Sequence, residues 1–158
     1  MIFVTVGTQL AFDRLIVAVD QWAARNPGTG VFAQVGPGDY RPAHIHSTPF
    51  ISPVECRERM RSADVIVAHA GMGTILSALE LGKPLLVMPR RAALGEHRND
   101  HQLATAARFA AAGRIAVATD TDELGPRLDE LDARDAGERI SRYASPELLG
   151  ALTSFING

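Results

Sequence analysis

Six consecutive residues, His69-Ala70-Gly71-Met72-Gly73-Thr74, bring an imidazole, a hydroxyl and two glycines together. They stand directly after the apolar run Val65-Ile66-Val67-Ala68 and open a helical pattern that reaches Leu81. A strand that turns through glycines into a helix leaves backbone N–H groups without intrahelical acceptors, and the helix dipole concentrates partial positive charge at the same place. The chemistry expected there is the binding of an anion, most naturally a phosphate. His69 and Thr74 would add side-chain groups to that site. A capped core histidine and a tight turn are the plainer reading of the same residues, but that reading leaves their coincidence at one strand-to-helix switch without a reason.

Several other chemistries are excluded or weakened by spacing. Gly71 and Gly73 do not form G-x-x-x-x-G-K-[ST], and no G-x-G-x-x-G follows the first strand, so the common triphosphate and dinucleotide motifs are absent. No G-x-S-x-G elbow is present for a serine hydrolase. His97, Asp100 and His101 are near one another but lie partly in a loop without a third ligand, so no metal is expected. The single cysteine, Cys56, falls in an amphipathic helix, where a packed thiol is the expectation, and it excludes an internal disulfide framework. A formal net charge of −2 gives no case for nucleic-acid binding, which draws on a basic surplus. No apolar run approaches the roughly 20 residues of a membrane-spanning helix. The start lacks the basic region of a signal peptide, so a cytosolic protein is expected.

The elements that must position these residues alternate between strand and helix. Ile2 to Val6 is a β-rich run closed by Gly7, and Phe12 to Ala24 carries apolar residues at helical spacing. After Asn26-Pro27-Gly28, Val31 to Val35 is a second strand and Gly36-Pro37-Gly38-Asp39 a loop. Phe50-Ile51 reads as a brief strand. Ser52-Pro53-Val54-Glu55 has the form of a capping box opening a helix to about Ser62, with Glu55 reaching back. The strand Val65 to Ala68 and the helix from Gly73 to Gly82 follow. Leu85 to Met88 is then an apolar strand of the kind buried on both faces. Pro89 to Asn99 is a polar, arginine-rich loop, Asp100 to Ala112 a helix, Ile115 to Ala118 a last strand, and helices are expected over Asp122 to Leu131 and Pro146 to Ile156.

This order predicts an α/β fold: a single Rossmann-like domain over residues 1–158, with a parallel sheet covered by helices on both faces. With 46% hydrophobic and 22% charged residues the chain can bury one such core. Ligands of these sheets lie at the carboxyl ends of the strands. That rule gathers Gly7-Thr8-Gln9, Gly36-Pro37-Gly38, the His69 segment and the Pro89 to Asn99 loop along one edge.

His69-Ala-Gly-Met-Gly-Thr74, Gly82-Lys83-Pro84 and Asn99-Asp100-His101-Gln102 together resemble the nucleotide-sugar-binding half of GT-B glycosyltransferases, family 28 in particular. The likeness runs from Met1 to about Ala118. With Phe3-Val4-Thr5-Val6-Gly7-Thr8-Gln9 at the start, the chain looks like the separate catalytic subunit of two-chain enzymes. These add N-acetylglucosamine to a dolichol-linked precursor in eukaryotes or build exopolysaccharide on a lipid carrier in bacteria. The stretch Arg90 to Gln102 looks more like the exopolysaccharide branch.

The resemblance implies a UDP-sugar substrate and no metal or other cofactor. It also implies a membrane-associated partner subunit that supplies the acceptor half, a lipid-linked saccharide acceptor, and a peripheral position at the inner face of the membrane through that partner. By the same resemblance His69 and Thr74 approach the donor diphosphate beside the N–H groups of Gly71, Met72, Gly73 and Thr74, with His69 as a stabiliser of the leaving group. The family glutamate that holds the ribose is here Ser77, and Glu80, about one helical turn on, is the alternative holder or a solvated charge. Asn99, Asp100, His101 and Gln102 match the segment that contacts the sugar, Gln102 above all, and Asn99 or Asp100 can equally cap the next helix. Gly7 would serve the first turn, while Thr8 and Gln9 would face the cleft. Arg90, with Arg91, Arg98 and His97 beside it, could pair with the carboxylate of a charged donor such as UDP-glucuronate, since fork-shaped pairing orients strongly. UDP-N-acetylglucosamine and UDP-glucose or galactose stand behind it. A base for the acceptor hydroxyl is not assignable, and a non-catalytic nucleotide-sugar-binding or assembly subunit is the alternative.

Overall fold

The computed structural model describes residues 1–141, with side chains to residue 131. Its elements in chain order are β1 (Ile2–Thr5), α1 (Asp13–Arg25), β2 (Val31–Gln34), β3 (His46–Thr48), α2 (Pro53–Ser62), β4 (Val65–His69), α3 (Met72–Glu80), β5 (Leu85–Met88), α4 (His101–Ala111), β6 (Ala116–Val117) and α5 (Thr121–Ser141). A short 3-10 turn, Ala92–Leu94, interrupts the loop after β5.

The six strands form one sheet in the order β3-β2-β1-β4-β5-β6, and every pairing is parallel. Successive residues of the central strands enter opposite cores. Ile2, Val4, Val65, Val67, Leu86 and Met88 face the layer built by α1 and α5, whereas Phe3, Ile66, Ala68, Leu85 and Val87 face Met60, Ile75, Ala78, Leu79 and Phe109 of the other helices. This two-residue period with both faces buried is why the strands are apolar throughout. The expected doubly covered parallel sheet is therefore present. β1 continues to β2 on one side, while its other neighbour, β4, is entered by the crossover through α2, so the chain diverges at the carboxyl ends of β1 and β4. Such a switch point opens a crevice in an open α/β sheet.

Three local expectations differ from the structure. The third strand is His46–Thr48, not Phe50-Ile51. It is an edge strand with a polar, largely exposed sequence, so it carries no apolar signal, and Phe50 is 57% exposed in the loop beyond it. Half of the capping box forms: Ser52 Oγ accepts from Glu55 N at 3.1 Å, but the Glu55 carboxylate pairs with Arg59 one turn later. The helix expected to stop at Leu131 continues to Ser141, where Ala, Arg and Glu maintain helical propensity after the apolar spacing ends. The helix expected over Pro146 to Ile156 lies outside the described residues.

One buried carboxylate pins the long connection that follows β2. Asp20 on α1 is 2% exposed and accepts from Tyr40 Oη (2.7 Å), Ala43 N (3.0 Å) and His44 N (2.8 Å). Burial acts to raise its pKa, but these donors, Tyr40 first, together hold it below the ordinary aspartate value. Its contribution to stability is therefore present at neutral pH and is lost on acidification through the folded-state value. Asp20→Asn leaves at least one donor facing an NH2 group, and urea denaturation should show a loss of roughly 1–3 kcal/mol.

Candidate functional site

At the switch point Gly7, two residues after the end of β1, meets His69, the last residue of β4. Gly7 has φ of +83°, a region that L side chains rarely adopt, and a Cβ there would lie 2.8 Å from His69 Nε2. A Cβ at Gly71 would lie 2.4 Å from His69 Cε1. The Cε1–Nε2 edge of the imidazole is thus closely approached by two glycines. For Gly7 and Gly71 this close approach adds a second reason for the residue type, beyond a turn and open N–H groups.

The ring is held at both nitrogens. Gln102, in the first turn of α4, faces His69 Nδ1 through its Nε2 at 3.2 Å, and Thr74 Oγ1 lies 3.5 Å from His69 Nε2. Burial first, then the charges of Arg90 and His97, push the imidazole pKa down to about 4, so the ring is neutral at physiological pH. Beside it α3 begins with Gly71 as a cap that has no side-chain bond. The first backbone bond of the helix runs from Ile75 N to Gly71 O at 3.0 Å. The N–H groups of Met72, Gly73 and Thr74 precede that bond and have no acceptor within the helix, and nothing lies within 4 Å of a Cβ placed on Gly73, although of these three residues only Thr74 lines a cavity.

Two cavities meet here. One of about 140 Å³ is lined by Gly7, Thr8, Gln9, Leu10, His69, Arg90, His97 and Gln102. The other, of about 290 Å³, shares Gly7 and Thr8 and adds Thr5, Gln34, Phe50, Ile51, Met60, Thr74, Ser77 and Leu81. Apolar walls with a few fixed polar groups are what a small organic ligand needs. Thr5 Oγ1 donates to Gln34 Oε1 at 2.7 Å, and Gln34 Nε2 donates to Pro49 O at 2.9 Å, which fixes the floor of the larger cavity. Sequence reasoning missed several lining residues of the larger cavity, among them Gln34, Ile51, Cys56, Arg57 and Met60. Only the β2 terminus of Gln34 offered a signal, because the carboxyl ends of these strands are where ligands lie.

The structure distributes the remaining expected site residues unevenly. Ser77 lines the larger cavity, on the face of α3 that also carries Thr74 and Leu81, while Glu80 is exposed and lines neither cavity. Asn99, Asp100 and His101 are exposed and also line neither. Asn99 Oδ1 accepts from His101 N at 2.9 Å at the start of α4, and Asp100 Oδ1 accepts from Ala92 N at 2.9 Å. Gln102 is buried, with its oxygen bonded to backbone.

Arg90 is placed differently from the expectation that its guanidinium faces a donor carboxylate. It is 2% exposed, donates to the carbonyls of Val6, Leu10 (2.9 Å), Ala11 (2.7 Å) and Glu96 (3.3 Å), and lies over the Phe12 ring. It shapes the Gly7-Thr8-Gln9 loop from beneath. Arg91 donates to Thr119 O and pairs with Asp120, while Arg98 is exposed. Glu96 receives a two-pronged contact from Arg14, at 2.9 and 3.0 Å, which fastens the loop after β5 to α1. Among the described residues no group of three or more His, Cys, Asp or Glu side chains could hold a metal. No helix among them is long and apolar enough to cross a membrane.

Comparison with known proteins gives this arrangement a context. The model of the glycosyltransferase family 28 C-terminal domain matches residues 1–136, past the limit near Ala118 that the sequence motifs suggest. The UDP-N-acetylglucosamine transferase subunit ALG13 of Homo sapiens is 31% identical over 128 residues, covering 75% of this chain and 11% of that protein. The ALG13 subunit of Eremothecium gossypii is 44% identical over 68 residues, covering 42% of this chain and 32% of that protein. The chain thus spans a third or less of the length of these relatives. Among solved structures, Acinetobacter baumannii MurG is similar in fold, with a TM-score of 0.59 at 21% identity, covering 82% of this chain and 40% of that one.

Proposed function

Because this chain belongs to the glycosyltransferase family 28 C-terminal domain family, we propose that it is the nucleotide-sugar-binding subunit of a UDP-sugar glycosyltransferase that works with a second polypeptide. The observation that carries this reading is the position of His69. Its neutral imidazole lies close against Gly7 and Gly71, beside the N-terminus of α3 and the two cavities. Departure of UDP from a sugar develops charge on the β-phosphate, and fixed N–H donors with a helix N-terminus stabilise that charge without a metal. In this assignment the diphosphate lies against His69, Thr74 and the N–H groups of Gly71 to Thr74. Ser77 lies in the cavity next to Thr74, and Thr8 and Gln9 face the cleft.

No side chain is assigned as a base for an acceptor hydroxyl, and the chain matches only part of MurG. The partner is therefore proposed to supply the acceptor half and the base. A membrane-attached partner carrying a lipid-linked saccharide, in exopolysaccharide synthesis, is the form of this proposal that the Arg90 to Gln102 stretch favours. Such a chain would be peripheral to the membrane through that partner. For the donor we propose UDP-glucuronate: Arg90 and Arg91 are engaged within the chain, and of the group expected to meet its carboxylate His97 and Arg98 remain.

A binding or assembly subunit without a part in transfer is the second reading, and the absence of an assignable base among the described residues favours it. One experiment addresses both. Transfer from UDP-glucuronate, UDP-N-acetylglucosamine and UDP-glucose is measured with the partner present, for the wild type and for His69→Gln. A catalytic role predicts a fall in kcat of about 100-fold in the variant. Unchanged kcat with weakened donor affinity identifies the binding subunit, and unchanged affinity as well removes the diphosphate from His69. Preference for a neutral sugar ends the case for glucuronate.

A further inference from the structure

Gln102 is only 8% exposed, and its amide reaches three groups at the ends of β4 and β5. Oε1 accepts from Ala70 N at 3.2 Å and from Arg90 N at 3.1 Å. Two backbone donors on one atom establish which end of the amide is the oxygen, so the nitrogen is the atom 3.2 Å from His69 Nδ1. A carboxamide nitrogen donates and cannot accept. Nδ1 therefore presents its lone pair, and the neutral imidazole carries its proton on Nε2. That atom is the one beside Gly7 and the Thr74 hydroxyl, at the edge of the smaller cavity.

We propose that Gln102 is a positioning residue: it fixes His69 in the Nε2–H tautomer, so that the imidazole is a preset hydrogen-bond donor to the diphosphate of the nucleotide sugar. The proposal rests on the reading of the site given above. It assigns Gln102 a role through His69, in place of the sugar contact expected from sequence. It also accounts for the amide type at this position. Leucine would leave the Ala70 and Arg90 N–H groups unpaired, whereas glutamate would satisfy them and present the wrong partner to Nδ1.

Imidazole ¹⁵N spectra of the 158-residue chain test the tautomer directly. In the free wild type, His69 should show an unprotonated Nδ1 and a protonated Nε2 between about pH 6 and pH 8. Gln102→Glu keeps a carboxylate oxygen on the two backbone donors and turns the other toward Nδ1, which then takes the proton. Above the His69 pKa of that variant Nε2 faces phosphate with a lone pair, and below it the imidazolium restores the donor. UDP affinity of the variant, relative to wild type at the same pH, should therefore fall by about 100-fold as pH rises through that pKa. Arg90 keeps its charge over this range, and Arg90 and His97 stand near His69 in both proteins, so the difference belongs to position 102. A purely structural role for Gln102 would weaken binding equally at every pH.

Protonation of Nδ1 in the free wild type, or parallel pH profiles for the two proteins, overturns the proposal. So does a UDP response that spares the His69 imidazole. A spectrum that does not respond to UDP at any signal overturns instead the nucleotide reading on which the proposal stands.

Discussion

Replacing Arg90 with methionine is expected to lower the unfolding free energy by about 3–5 kcal/mol, the range for removing one member of a buried charged hydrogen-bond network. The size follows from what the guanidinium holds. It is 2% exposed and gathers the carbonyls of Val6, Leu10, Ala11 and Glu96, which belong to the loop after β1 and the loop after β5. Methionine fills similar volume and packs on Phe12 as the arginine does, but it removes the donor from the buried Val6 carbonyl and from three part-buried ones. Arg90→Lys should recover little, because three donors on a flexible stem cannot reproduce a planar fork that addresses several carbonyls at once. Chemical denaturation checks the effect, and a midpoint shift equivalent to less than about 1 kcal/mol would contradict it. UDP affinity should fall with stability, since the Gly7-Thr8-Gln9 loop forms a wall of both cavities.

Arg90 also shows where a sequence stops being informative. The strand, glycine turn and helix around His69 are legible because every rule involved is local: an apolar run, two glycines, helical spacing. The parallel sheet is legible for a related reason, since alternating strands and helices leave few other arrangements. Arg90 is read from sequence as a free cation, yet its partners Val6, Leu10 and Ala11 lie some eighty positions earlier. Nothing in its neighbours announces that loop. Gln102 is similar: its motif is visible, but its bonds to Ala70 and His69 depend on how closely α4 starts to the end of β4. His46–Thr48 is hidden for the opposite reason, because an exposed edge strand does not need the apolar pattern by which strands are found. Gln34 joins the site through its position at the end of β2, and a buried glutamine flanked by apolar residues looks in sequence like an ordinary strand residue.

Gly71→Ala should reduce UDP affinity and transfer by about 1,000-fold while leaving the protein folded. Loss of one preorganised donor is worth about 100- to 1,000-fold, and this change displaces the imidazole altogether. The argument is one of contact, not of backbone conformation. Gly71 has φ of −75° and ψ of 134°, values open to any residue, so alanine introduces no strain of its own. Its methyl carbon would instead lie 2.4 Å from His69 Cε1, 2.8 Å from Nε2 and 3.1 Å from Nδ1. Gly7 crowds the same Cε1–Nε2 edge of the ring, and Gln102 holds Nδ1, so the imidazole has to leave its place beside the two cavities. Relief of such overpacking by movement of one side chain costs about 1–3 kcal/mol, less than the Arg90 replacement. Binding and denaturation measured on the same preparation therefore separate the two effects: a large loss of UDP affinity in a chain that still unfolds cooperatively supports the close approach of Gly71 to His69. Retained affinity would mean that the imidazole is not what holds the diphosphate.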